Sequence, residues 1–337
     1  MYACRNAITI AALAMLVMVG NARAYVVTSI TTEDTYAPTY ARSIVFPAGM
    51  TVNYDGLVRR ITSATDSSGK WWPTIQGDVY VRRNTATETF PTSNPNQSLA
   101  WNVQISRDAT NINVHGRYTT DMAALVGSRS IVNGSDNVFT NEGNTAGNNN
   151  NIERIDFIFP GGLTSAADVA FVVMERGVST AHDAFRIAAI TGLAGSTPTN
   201  YGNVVTYTAG SWGTSSVTPS QTYEVLRYEV SGGPNLDRNS ATVNNQPIGG
   251  NIIETTTLVS AGTTIYGYSL FAPDVTGTGL DLVDWTNATY FPTNTPETND
   301  GIDLVMTGAV TFVLPEPSSL ALFGLGLIGT ILRRRKG

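Results

Sequence analysis

The sequence predicts an all-β body, an antiparallel β-sandwich of jelly-roll-like form, and three observations carry that prediction. Apolar and polar residues alternate with period two in one stretch after another, as strands with one buried face require. Gly, Pro and Asn turn signals separate these stretches, among them Gly161-Gly162, Ser231-Gly232-Gly233-Pro234 and Gly249-Gly250. Helical periodicity is nearly absent, and only residues 121–126 read as a helical turn. Many short strands divided by such turns close into a sandwich or barrel.

Taken in order, residues 77–82 alternate first, and residues 99–105 then place Leu99, Trp101, Val103 and Ile105 on one face. Ile155, Phe157 and Phe159 alternate with Asp156 and Ile158. Residues 168–174 form a more continuous apolar run, the pattern of a strand buried on both faces. Further strands are expected at 223–230, 252–259, 264–271 and 302–313. The clearest break is the Asn-rich stretch 133–151, which offers no apolar face to bury. It reads either as a linker, with a domain boundary near residue 150, or as a long loop within one sandwich. No repeat period is visible, which disfavours solenoids and propellers.

The two ends have a different character. Residues 1–24 carry the three parts of a secretory signal: Arg5, an apolar run at 8–20, and the small-x-small pattern Ala22-Arg23-Ala24. Cleavage there would start the mature chain at Tyr25. Thirteen apolar residues at ~1.5 Å rise span about 20 Å, short of a ~30 Å hydrocarbon core. A removable signal is therefore expected in preference to an anchor. At the other end, an apolar run at 319–332 is closed by Arg333, Arg334, Arg335 and Lys336. Cations abutting an apolar segment stay on the cytoplasmic side, so residues 315–337 are expected to hold one transmembrane helix with the body outside.

Pro315-Glu316-Pro317, the Gly-rich apolar run and the terminal basic cluster together resemble the PEP-CTERM sorting signal. The resemblance covers only the last two dozen residues. It implies recognition by an exosortase near Pro315, Glu316 and Pro317, removal of the tail, and delivery to the surface of a Gram-negative bacterium. Within the tail, residues 324–329 spell G-x-G-x-x-G. A dinucleotide site needs a preceding strand, a long following helix and an acid about 20 residues on, and here the basic end follows at once. Close packing of the helix against another explains these glycines better.

With both ends set aside, 14 basic residues remain against 25 acidic ones, a net charge near −11. That balance argues against nucleic acid or anionic lipid as a partner of the body. The single cysteine, Cys4, lies in the signal segment, so the mature body has no disulfide, thiolate ligand or cysteine nucleophile. A surface polar through amides and hydroxyls suits sugars, and equally suits exposed strands and turns.

No catalytic constellation is expected. His115 sits in an alternating stretch and reads as an exposed strand residue; His182-Asp183 cannot form a relay with Ser179, because neighbours on an extended chain point apart. Neither H-E-x-x-H nor G-x-S-x-G occurs. A glycosidase would need two facing carboxylates, and Glu153, Glu175, Glu224 and Glu229 are available without a way to pair them. No cofactor is expected, apart from a calcium alternative at Asp136, Asn137, Asn141 and Glu142, against which stands a plain solvated loop. Trp71, Trp72, Trp212 and Trp285 lie in turn-like surroundings and are candidate carbohydrate contacts, while Trp101 reads as core. Adjacent Trp71 and Trp72 would point to opposite sides of a strand, so only one would bury. The expected role is a non-enzymatic surface or biofilm-matrix protein. The alternatives are a carbohydrate-binding module for exopolysaccharide and a secreted glycosidase.

Overall fold

A computed structural model describes residues 24–43, 51–84, 98–117, 122–135, 137–139, 152–176, 183–212, 217–229, 235–237, 242–293 and 302–312. Among these residues the chain forms eighteen strands. The first half holds β1 (Ala24–Tyr36), β2 (Tyr40–Ser43), β3 (Thr51–Tyr54), β4 (Leu57–Asp66), β5 (Trp71–Gln76), β6 (Asp78–Arg83), β7 (Ser98–Arg107), β8 (Asn111–His115) and β9 (Asn133–Ser135). The second holds β10 (Ile152–Thr164), β11 (Val169–Arg176), β12 (Phe185–Ala194), β13 (Thr197–Tyr207), β14 (Val217–Glu229), β15 (Asn235–Asp237), β16 (Thr242–Glu254), β17 (Thr264–Phe271) and β18 (Leu304–Phe312). Helix is limited to α1 (Met122–Val126), α2 (Thr255–Leu258) and 3-10 turns at Ala209–Trp212 and Gly279–Leu282. No helix among the described residues is long and apolar enough to cross a membrane, and the expected tail helix at 315–337 lies outside them.

Two sheets result. The larger runs β1-β4-β5-β18-β11-β16-β14-β7-β8-β3-β2, with β15 and β9 attached at its side, and the smaller runs β13-β12-β17-β10-β6. Pairing is antiparallel except between β3 and β8, where Thr51 to Tyr54 lie parallel to Asn111 to Val114. Strands from before and after residue 150 share both sheets; β6, for example, pairs with β10. The Asn-rich stretch begins as strand β9, fully buried and paired with β7.

The larger sheet closes on itself. The first residues of β1 pair with β16, and a register shift between Val27 and Ser29 then hands the strand to β4. Strands β1, β4, β5, β18, β11 and β16 thus form a hydrogen-bonded ring. Its interior takes Val27, Ile61, Trp72, Val172, Ile252 and Val305, one residue from each strand. Side chains on the other face of β11 and β16, Phe171, Val173 and Ile253, join a second core shared with the smaller sheet. There Phe171 meets Tyr268 at 4.3 Å between ring centroids, and Tyr268 meets Phe157 at 4.7 Å. All of β11 is therefore buried, which is why residues 168–174 read as a continuous apolar run.

The smaller sheet needs one glycine. Gly267, in β17, has φ +125°, and a Cβ there would lie 1.8 Å from the carbonyl oxygen of Phe157. One predicted element differs. The strand expected over 252–259 stops at Glu254 and turns into α2. The β-branched threonines favour strand, but tertiary contacts prevail. Thr255 Oγ1 donates to the carbonyl of Ala166 and accepts from its amide, both at 3.1 Å, and Leu258 is fully buried in the second core.

Candidate binding groove

The parallel pairing of β3 and β8 builds the most functional-looking surface of the body. Its register sets Asn53 beside Asn113 and Tyr54 beside Val114, while antiparallel β2 brings Tyr40 opposite Tyr54. Together with Thr39, Ala41, Asp55 and His115 they line a groove of about 350 Å³. Tyr40 is 42% exposed and Tyr54 is buried, with ring centroids 6.2 Å apart and planes tilted by 57°. Along the rim, Asn53 Nδ2 donates to the side-chain oxygens of Asn111 (3.4 Å) and Asn113 (3.3 Å).

At one end His115 Nδ1 lies 2.9 Å from Asp55 Oδ2. Asp55 is itself pinned, because its Oδ1 accepts from the backbone amides of Leu57 (2.8 Å) and Gly116 (3.0 Å). The contact with this fixed carboxylate sets the orientation of the imidazole. His115 lies on strand β8 with its side chain 39% exposed, in line with an exposed strand residue, and the contact with Asp55 is what the sequence did not show. Chemically the groove offers an aromatic face, an amide rim and an oriented imidazole. Asp55 is the one carboxylate among its lining residues, so it lacks the facing acid pair of a glycosidase.

The four tryptophans singled out by sequence are not gathered here, and none of them lines this groove. Trp71 is half-exposed on β5, whereas Trp72 is fully buried inside the ring, as their opposite parity requires. Trp72 Nε1 donates to Asp66 Oδ2 at 2.8 Å, and the Lys70 ammonium sits 3.9 Å above the ring. Burial pushes the Asp66 carboxyl up, but hydrogen bonds from Ser68, Trp72 and Lys70 outweigh it and hold the carboxyl below its ordinary value. Trp212 is fully buried and donates to the Asp183 carbonyl at 2.8 Å. Trp285 is partly buried, donates to the Arg83 carbonyl at 2.9 Å, and covers the guanidinium groups of Arg154 and Arg82 at 4.8 and 5.3 Å. The side chain of Trp101 lies outside those described.

Asp136, Asn141 and Glu142 of the calcium alternative lie outside the described residues, as do His182, Ala22 and the tail residues Pro315, Glu316, Pro317, Arg333, Arg334, Arg335 and Lys336. Asn137 is described: it has φ +48°, and its amide donates to Asp303 Oδ1 at 2.9 Å. Among the described residues no group of three or more His, Cys, Asp or Glu is placed to hold a metal ion. Ala24 opens β1 opposite Ile253.

Two buried polar clusters pair residues that the sequence reading did not bring together. Asp156, fully buried on β10, accepts from Arg82 Nε (2.8 Å), Arg154 Nη2 (3.1 Å) and Ser269 Oγ (2.6 Å). Burial alone would lower the Arg154 pKa, but the Asp156 charge reverses this and raises it. The second cluster joins Glu175 and Asp183, whose amide donates to both Glu175 oxygens at 2.9 and 3.1 Å. Burial, then the neighbouring Asp183 charge, push the Glu175 carboxyl well above its ordinary value.

The comparisons with known proteins concern the tail. Residues 313–336 match the PEP-CTERM protein-sorting motif. The match implies an exported protein of Gram-negative bacteria that crosses the membrane and is processed by an exosortase. No curated protein and no solved structure matches the chain at a significant level.

Proposed function

We propose that this chain is a non-enzymatic structural protein of the bacterial surface or biofilm matrix, with a jelly-roll-like sandwich body delivered by an exosortase. The sorting motif at 313–336 is the observation that carries this reading. The acidic, cysteine-free composition of the body is in keeping with it. The test is deletion of residues 315–337 followed by fractionation of cells, envelope and medium. Loss of the protein from the surface and medium, with build-up in the secretory pathway, is the expected outcome. Delivery identical to that of the intact chain would overturn the sorting role.

A second reading, binding of exopolysaccharide, is favoured by one observation: the groove of Tyr40, Tyr54, Asn53, Asn113 and His115. A sugar CH face stacks on an exposed ring while its hydroxyls pair with amides. On this reading Tyr40→Ala abolishes retention of the protein on immobilised matrix polysaccharide, and Trp71→Ala leaves it unchanged. Retention that survives Tyr40→Ala would remove the groove from consideration.

A further inference from the structure

In a body with 25 acidic residues against 14 basic ones, three arginines converge on one place. A cavity of about 350 Å³ opens where β5 passes into β6 beside α1, and Arg60 and Arg117 are among its lining residues, with Gln76 and Ser128. Arg129 stands directly behind. Its carbonyl accepts the Ile61 amide at 3.0 Å, and the next residue, Ser130, bridges to Arg60. Burial, and then the Arg60 charge, lower the Arg129 pKa, so the two guanidinium groups feel each other.

Four other arginines of the body find carboxylates. Arg59 meets Asp34, Arg82 and Arg154 meet Asp156, and Arg176 meets Asp303. Arg60 differs. Among the described residues its Nε is sealed from solvent without an acceptor. Glu33 lies opposite Arg60 in the β1–β4 register, and its charge also acts on Arg129. Asp78 is exposed at the cavity wall and is the one carboxylate lining it. Arg117 Nη2 donates to the Ala124 carbonyl at the end of α1, which fixes that side chain at the cavity wall.

We propose that this cavity is a binding site for a small oxyanion, a carboxylate, sulfate or phosphate group, with Arg60 as its principal ligand and Arg117 as its second. A planar guanidinium offers paired donors that match such an anion, and charge-assisted hydrogen bonds are the strong ones. An anion held there also relieves the repulsion between Arg60 and Arg129. The site goes beyond the sorting role and is separate from the tyrosine groove, so each can fail without the other.

The test titrates the full-length chain, in mild detergent, with glucuronate, inorganic phosphate and sulfate in turn, at an ionic strength held constant with chloride. Calorimetry and the thermal midpoint are the readouts. At least one oxyanion is expected to bind and raise the midpoint, and Arg60→Gln to weaken that binding by about tenfold or more, with Arg60→Lys between the two. Without added anion, Arg60→Gln should melt no lower than the parent, because a repulsion has been removed. A preference for glucuronate assigns the site to acidic sugars, and a preference for phosphate or sulfate to free inorganic ions. A response no greater than that to chloride, or equal binding by Arg60→Gln, overturns the proposal.

Discussion

Replacing Asp156 by alanine tests how the loop carrying Trp285 is held on the smaller sheet. The carboxylate is fully buried and takes hydrogen bonds from Arg82, Arg154 and Ser269. Both arginines reach beyond it, Arg82 to the Ser196 carbonyl at 2.6 Å and Arg154 to the carbonyls of Leu282 and Val283 at 2.5 and 3.1 Å. Losing the carboxylate strands two nearly buried cations, and breaking such a pair costs about 3–5 kcal/mol. Against a typical domain stability of about 5–15 kcal/mol, that is a large share. Urea unfolding followed by tryptophan fluorescence measures it, with the m-value checked for a constant unfolding transition. The double-mutant cycle adds the decisive control. Arg82→Ala should be much less damaging when Asp156 is already alanine, with a coupling of about 0.5–3 kcal/mol. A loss below ~1 kcal/mol for Asp156→Ala, or strict additivity with Arg82→Ala, would refute the argument that Asp156 neutralises both arginines.

Glu175 has its folded pKa raised above the ordinary carboxylate value, so its stabilising contribution is present at low pH and disappears as pH rises through the folded pKa. Glu175→Gln should therefore resemble the parent near pH 4 and melt higher at pH 7–8. Thermal scans across that range check it, and parallel curves would reject the buried-acid reading. Trp72→Ala, which empties the ring interior, should cost about 3–5 kcal/mol in urea unfolding, while Trp71→Ala stays within about 0.5 kcal/mol. Equal losses at the two positions would contradict the assignment of Trp72 to the interior.

What could be read from the chain was whatever depends on local pattern. Opposite parity was enough to put Trp71 and Trp72 on opposite sides of β5, though not to say which is buried, and the unbroken apolar run was enough to make β11 a doubly covered strand. Local preference misled at Thr255, where β-branched residues favour strand but hydrogen bonds to Ala166, almost ninety residues away in sequence, impose a helical turn. The candidate groove was hidden for a related reason. Tyr40, Asn53 and His115 meet only through the β2–β3 and β3–β8 pairings, and parallel pairing leaves no mark on alternation. Arg60 and Arg129 are likewise neighbours only because residues 129–131 run alongside β4. Sequence shows which side chains are charged, but pairing decides which charges must share a space.

The closed ring explains how an exported body without disulfides holds its shape. An open sheet leaves an unpaired edge strand at each end, and the pairing of the first residues of β1 with β16 covers part of one of them. The ring is also not a separate module. Strands β11 and β16 send alternate side chains into both cores, Val172 and Ile252 to the ring and Phe171 and Ile253 to the smaller sheet. Neither core can lose these strands without exposing the other. Each core therefore adds its buried area to the stability of the same two strands, which is the role a covalent cross-link has in smaller secreted domains. The sorting motif lies in the tail, while β11 and β16 tie the two cores of the body together.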